Sequence, residues 1–180
     1  MVYVLLADDF EEIEAIEPVD IMRRAGIDVR TVSIMPTKGV KGAHGINILA
    51  DLSLEDVNKD DMELLMLPGG AGHELLDASN GTHELINTAV IKDKYIAAIC
   101  AAPSILGKKQ ILMDRNATCY PGYEKYCYGA NMTGEKVAVD GKIITGRGPG
   151  AAAEFGFKIV EILKGADAAD KLKDAMQYHD

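Results

Sequence analysis

The sequence predicts a doubly wound α/β fold, a mostly parallel sheet with helices on both faces. Two observations carry that prediction. Short apolar runs alternate with longer amphipathic stretches, as they do in chains built from β-α units. The runs are also continuously apolar rather than alternating, which suits parallel strands covered on both sides. A length of 180 residues with 48% hydrophobic content is the size of one domain with a single core, so residues 1–180 are expected to form one domain.

Val2 to Ala7 and Val29 to Ile34 read as the first two strands. A helical stretch from Glu11 to Ala25 separates them, and Gly26 closes it as a cap. The Gly-rich stretch from Gly39 to Ala50 suggests a small antiparallel excursion. Leu64 to Leu67 and Tyr95 to Ile99 are further buried strands. Lys136 to Val139 and Lys142 to Thr145 flank Asp140-Gly141, a dipeptide that supplies the positive φ of a tight hairpin. Gly150 to Leu163 is an amphipathic helix, and a polar helix follows from about Ala166 to Gln177. No internal repeat or linker divides the chain.

Composition narrows the function. Nineteen basic against 28 acidic residues give a net charge of −9, which repels nucleic acid and anionic membrane surfaces. The N-terminal apolar run breaks into acids after Ala7 and lacks a basic leader, so it reads as a strand and not a signal peptide. No window approaches the roughly 20 apolar residues that a membrane-spanning helix needs. Three cysteines in no metal-ligand spacing suit a reducing compartment, with the cytoplasm as the expectation. Neither a metal site nor a cofactor motif is expected, because the glycines of GRGPG do not follow a strand of a dinucleotide-binding unit.

Three segments carry candidate chemistry. In the run Tyr95 to Leu106 a buried strand ends at Cys100 and a helix begins within about two residues, with small Ala98, Ala101 and Ala102 permitting close approach and Pro103 suiting the first turn. A thiol at a helix N-terminus is stabilised as thiolate, below its ordinary pKa of about 8.5. Read on this segment alone, Cys100 is equally a small buried hydrophobe. Leu64 to Gly72 ends a strand in Pro68-Gly69-Gly70, whose uncovered backbone leaves the Gly70 N–H free, together with that of Ala101, to bind developing negative charge. The third segment, Asp8 to Pro18, is acid-rich. Glu14 stands out there because Pro18 cannot donate to its carbonyl, and a carboxyl from this first helix would reach the C-terminal edge of the sheet. Buried beside a thiolate, Glu14 would be protonated and donate to sulfur. As composition alone has it, Glu14 is one more surface acid.

These segments occur together, in this order, in one family. The sequence resembles the ThiJ/PfpI superfamily, in the branch of the Parkinsonism-associated deglycase. The residues that carry the resemblance are LLADDFEEIEAIEPVDIMRRAGIDV at 5–29, LPGG at 67–70, AAICAAPSIL at 97–106 and DGKIITGRGPGAAAEFGFKIVEIL at 140–163. The resemblance implies a flavodoxin-like homodimer with the first helix at the interface. It also implies that Glu14 holds the elbow cysteine Cys100 and that Gly70 offers its N–H. The implied activities are glutathione-independent conversion of methylglyoxal or glyoxal, repair of glycated groups, and oxidation of the cysteine to sulfinate under stress.

The chain departs from that pattern in one respect. Active relatives often carry a histidine near the cysteine in the loop before the hairpin, and Tyr126 to Met132 contains none. Proton transfer between adjacent carbons would then fall to Glu14, alone or with water. Ala101 follows the cysteine where protease-like members have a histidine, which argues against a peptidase. His44, His73, His83 and His179 are expected to be solvated surface groups. His44, in the Gly-rich excursion, is also a candidate to approach the site across a dimer interface, and Cys127 is a candidate resolving thiol for oxidised Cys100, while Cys119 is expected at a strand end. Two functional expectations follow. One is cysteine-centred reaction with a small reactive aldehyde or peroxide, of glyoxalase or deglycase type. The other is a non-catalytic redox sensor or chaperone-like dimer in which Cys100 becomes sulfinate.

Overall fold

The computed structural model describes residues 1–178. β1 (Val2–Leu6) leads through α1 (Glu12–Arg24) to β2 (Val29–Ser33). The Gly-rich stretch forms an antiparallel hairpin of β3 (Gly39–Lys41) and β4 (Asn47–Leu49), after which β5 (Leu52–Ser53) joins the main sheet. Next come β6 (Leu64–Leu67), α2 (His73–Ala78), α3 (Asn80–Ile91) and β7 (Tyr95–Ile99). Then follow α4 (Pro103–Lys108) and the short pair β8 (Asn116–Ala117) and β9 (Asn131–Met132). The hairpin β10 (Val137–Asp140) and β11 (Ile143–Gly146) precedes the helices α5 (Ala152–Lys164) and α6 (Ala166–Ala175).

The main sheet has seven strands in the order β10-β11-β7-β6-β1-β2-β5. Every pairing is parallel except β10 with β11. The parallel strands are apolar throughout because their residues alternate between two cores. Val2, Val4, Leu6, Leu64 and Met66 pack with Val19, Met22, Phe155 and Ile159 of α1 and α5. Tyr3, Leu5, Leu65 and Leu67 pack with Leu85, Ile86, Ile105 and Leu106 of α3 and α4. Truncating one such side chain to Ala costs about 2 to 5 kcal/mol.

α1 runs without a break through Pro18, although that residue removes one helical hydrogen bond. Its neighbour on α5 is Gly156, where a Cβ would lie 3.1 Å from Pro18 Cα, so the two helices pack backbone to backbone. The Asp-Gly hairpin forms as expected, with Gly141 at φ 58°. Residues 73–91 hold two helices that the sequence reading did not anticipate. Ser79-Asn80-Gly81 looks like a loop, but Ser79 is the cap of α3, its side chain accepting from Thr82 N–H at 3.2 Å.

β1 sends the chain to β2 on one side, whereas β6 and β7 lie on the other. The C-terminal ends of β1, β6 and β7 therefore surround the crevice at a topological switch point, where open α/β sheets place their sites. No helix among the described residues is long and apolar enough to cross a membrane.

Candidate functional site

Cys100 is the first residue after β7 and holds φ 67°. A non-glycine side chain in the left-handed region is strained, and such strain persists only where the surroundings impose it. Here they do. Cys100 N–H donates to Gly146 O of β11 at 2.9 Å, and Cys100 O accepts from Tyr120 N–H at 2.8 Å. Pro103 then opens α4, so strand, sharp turn and helix make the elbow that the sequence indicated. The elbow lifts the side chain out of the sheet line, and Cys100 stays 8% exposed while Ile99 beneath it is sealed.

Glu14 is fully buried in the first turn of α1. Its Oε2 accepts from Gly69 N–H at 2.9 Å. Gly69 sits between the two reactive groups: a Cβ there would lie 2.6 Å from Glu14 Oε2, 2.6 Å from Cys100 Cβ and 3.1 Å from Cys100 Sγ. Glycine is required at this position for the carboxyl and the thiol to approach. Gly70 follows at φ 80°, and a Cβ there would meet Asp9 O and Glu11 N at 2.5 Å, so this turn too needs its missing side chain. The backbone N–H groups of Gly70 and Ala101 both act on the Cys100 thiol in the direction that favours its ionised form.

Burial is the largest influence on both acids. It lifts the Glu14 carboxyl from 4.5 to about 7, against lowering contributions from Cys100 and the Gly69 N–H. It also pushes the Cys100 thiol up, and the Glu14 carboxylate pushes it further, against the Gly70 and Ala101 N–H groups. The expectation of a thiol depressed by the helix dipole therefore fails. α4 has only six residues, and desolvation beside a like charge outweighs so short a helix. Once pH passes about 7 the pair retains one proton, and thiolate forms when that proton sits on Glu14. Glu14 Oε1 is buried with no hydrogen-bond partner. An ionised oxygen there is costly, whereas a protonated Oε1 can donate to sulfur.

An elbow cysteine, a buried glutamate from the first helix and a Gly-Gly turn meeting at one sheet edge carry the sequence resemblance into three dimensions. The DJ-1/PfpI family profile matches residues 1–162. The chain belongs to the DJ-1/PfpI family. It is 36% identical over 175 residues to protein dj-1beta of Drosophila melanogaster, covering 94% of this chain and 92% of that one. It is 37% identical over 171 residues to DJ-1 homolog B of Arabidopsis thaliana, covering 93% of this chain but only 39% of that longer protein. Among relatives named for an activity are a glutathione-independent glyoxalase, DJR-1.2, of Caenorhabditis elegans, 34% identical with coverage of 94% and 91%, and a deglycase of Pyrococcus abyssi, 32% identical with coverage of 91% and 99%. The solved structure of oxidized DJ-1 from Toxoplasma gondii superposes with a TM-score of 0.93 at 34% identity, covering 99% of this chain and 98% of that one. The likeness to DJ-1 thus spans the whole fold.

The remaining candidates separate from the DJ-1-type centre. The groups acting on the Cys100 thiol are Glu14, Gly70 and Ala101, and none is a histidine. His44 Nδ1 lies 2.9 Å from Glu12 and 3.6 Å from Glu11 of its own chain. These three side chains offer ligand atoms within 4.8 Å of one another. Both Glu12 oxygens are already engaged, by the His44 ring and by the backbone N–H groups of His44 and Ile46. Their joint effect is to bracket the β3–β4 hairpin to the start of α1. Cys127 interacts with Cys119, the neighbour that most affects its thiol.

The histidines differ from the expected solvated set. His73 is buried. Its Nδ1 donates to Gly70 O at 2.8 Å, and its ring meets Tyr123 edge-on with centroids 5.2 Å apart. The sequence signal was present but unread: His73 lies three residues after Gly70, the spacing at which a side chain returns to the turn's own carbonyl. His83 is half-buried against Asp77 O at 2.6 Å. His179 lies outside the described residues.

Proposed function

We propose that this protein reacts through Cys100 with small electrophilic carbonyl compounds, in the manner of a glutathione-independent glyoxalase or deglycase. The observation that carries this reading is the buried Glu14 carboxyl packed with the strained elbow cysteine across Gly69. The proton moves from Cys100 to Glu14, and the thiolate adds to the aldehyde carbon. The resulting oxyanion takes the N–H groups of Gly70 and Ala101, which already favour negative charge at Cys100. Glu14 then carries the proton between adjacent carbons, and water releases the hydroxy acid. In this scheme Glu14 performs the transfer often given to a histidine, and a carboxyl with a pKa of about 7 is matched to that task.

The same surroundings support a second reading, that Cys100 is a peroxide-responsive thiol held as sulfinate by Glu14. Its support is the lack of a histidine among the groups acting on Cys100. Under either reading a homodimer is proposed. Its support is that Ile13 and Ile16 of α1 and Ile46 and Leu49 of the β3–β4 hairpin are exposed on two elements that Glu12 and His44 tie together, apolar side chains that a partner would cover.

Lactate formation from methylglyoxal by the purified protein tests the first reading. Turnover that disappears in Cys100→Ala supports it. An unchanged fold with no lactate formed would sink it and leave the sensor, which selective sulfinate formation at Cys100 under mild peroxide would support.

A further inference from the structure

Two of the three cysteines belong to the loop packed beside the elbow, Cys119 directly before Tyr120 and Cys127 seven residues after it. The chain after Cys119 curls through consecutive turns: Tyr123 N–H donates to Tyr120 O at 3.1 Å, Tyr126 N–H to Tyr123 O at 2.9 Å, and Cys127 N–H to Glu124 O at 3.0 Å. The Glu124 carboxylate tightens the curl by accepting from Gly122 N–H at 2.7 Å. Its flanks are pinned where β8 pairs with β9, Ala117 opposite Met132. The curl turns Cys127 back toward Cys119, and of all the neighbours acting on the Cys119 thiol, Cys127 acts most strongly. Both residues are buried in one apolar cluster. Cys127 is backed by Gly107 of α4, where a Cβ would come within 2.4 Å of Cys127 Cα.

We propose that Cys119 and Cys127 form a redox-active dithiol that closes to an intrachain disulfide with a hydroperoxide as oxidant, a thiol centre distinct from Cys100. The Cys127 sulfur attacks the distal peroxide oxygen, the O–O bond breaks, and the alkoxide or hydroxide leaves as alcohol or water, giving Cys127 sulfenic acid. The Cys119 sulfur then attacks the Cys127 sulfur, the S–O bond breaks, and the departing hydroxide takes the Cys119 proton as water. Two electrons leave the sulfur pair, and the peroxide is reduced. Geometry sets the order of attack: Cys119 commits its S–H to Tyr120 O at 3.4 Å, whereas the Cys127 thiol is shifted down by its Cys119 neighbour against burial and the Glu124 charge, so Cys127 is the first nucleophile. The segment that would be locked carries Tyr120, whose N–H holds the Cys100 carbonyl at 2.8 Å.

The linkage is directly readable because Lys125 lies between the two cysteines. After excess hydrogen peroxide, alkylation of remaining thiols and non-reducing tryptic digestion, the peptides Asn116–Lys125 and Tyr126–Lys136 should be recovered joined, from protein that runs as a single chain on a non-reducing gel. The joined pair should separate on reduction, be missing from Cys127→Ser, and persist in Cys100→Ala. That last arm keeps this proposal separate from the chemistry of Cys100. Recovery of Cys119 and Cys127 as alkylated thiols overturns it. So does linkage found only between chains or only when Cys100 is present.

Discussion

Gly69 joins Glu14 to the elbow: its N–H donates to Glu14 Oε2 at 2.9 Å, while its bare Cα leaves the space in which Glu14 and Cys100 meet. A methyl group there would lie 2.6 Å from Cys100 Cβ, which the strained elbow cannot move aside. Gly69→Ala should therefore destabilise the fold by about 1 to 3 kcal/mol, the usual cost of overpacking. It should also part the carboxyl from the sulfur. The expected result is a lower denaturation midpoint together with loss of any rate advantage of Cys100 over Cys119 in alkylation. Unchanged alkylation with a normal midpoint would contradict the geometry.

Glu14 has a stability signature of its own. Its folded pKa of about 7 exceeds its ordinary 4.5, so between those values the native state keeps a proton that the unfolded chain has released. Stability from this group therefore falls as pH rises from 4.5 through 7, by roughly 3 kcal/mol in total. Glu14→Gln cannot ionise and keeps an acceptor for Gly69. The variant should lose this fall, gaining on the parent in urea unfolding at pH 8 relative to pH 4.5. Its Cys100 alkylation profile should lose the inflection near 7, because no carboxyl remains to take the thiol proton. A parallel pH dependence in parent and variant would refute the assignment.

The fold was legible wherever a strand is buried on both faces. Val2 to Leu6, Leu64 to Leu67 and Tyr95 to Ile99 need apolar residues at every position because they alternate between two cores, and that need shows in the sequence. The elbow was legible for a related reason, since close strand-to-helix approach demands Ala101 and Ala102 beside Cys100. Less legible were the features set by polar contacts between distant segments. Ser79 looks like a loop residue until Thr82 is seen to use it as a cap. His73 looks like a surface group until Gly70 O is seen within 2.8 Å. The direction of the Cys100 shift was misread because a dipole is visible in local sequence, whereas burial is a property of the whole packing.

His44 and Glu12 shift each other in opposite directions. Burial works to raise Glu12, but hydrogen bonds from the His44 ring and nearby backbone N–H groups bring it down to about 2. The Glu12 hydrogen bond, followed by the charges of Glu11 and Glu12, raises His44 above 6.5. The stability supplied by Glu12 is thus present above pH 4.5 and lost as pH falls through about 2. That of His44 is present below 6.5 and lost as pH rises through its raised value. Proton NMR of the His44 ring should show a midpoint above 6.5 that drops in Glu12→Gln and with added salt. A midpoint indifferent to Glu12 would remove the bracket between α1 and the β3–β4 hairpin.

His73 bonds the carbonyl of Gly70, the residue whose N–H acts on the Cys100 thiol. A carbonyl only accepts, so Nδ1 carries the proton toward Gly70 O. His73→Phe keeps the ring against Tyr123 and removes that donor from a buried site. The loss of one hydrogen bond should cost about 1 kcal/mol. If the bond serves only the fold, unfolding moves and Cys100 does not. If it sets the Gly70 turn, Cys100 alkylation and any methylglyoxal turnover fall several-fold, while the alkylation rate of denatured protein stays unchanged. The second outcome is expected, because Gly70 at φ 80° has neither side chain nor preferred conformation to hold its own N–H in line, and His73 bonds to the carbonyl of that same residue.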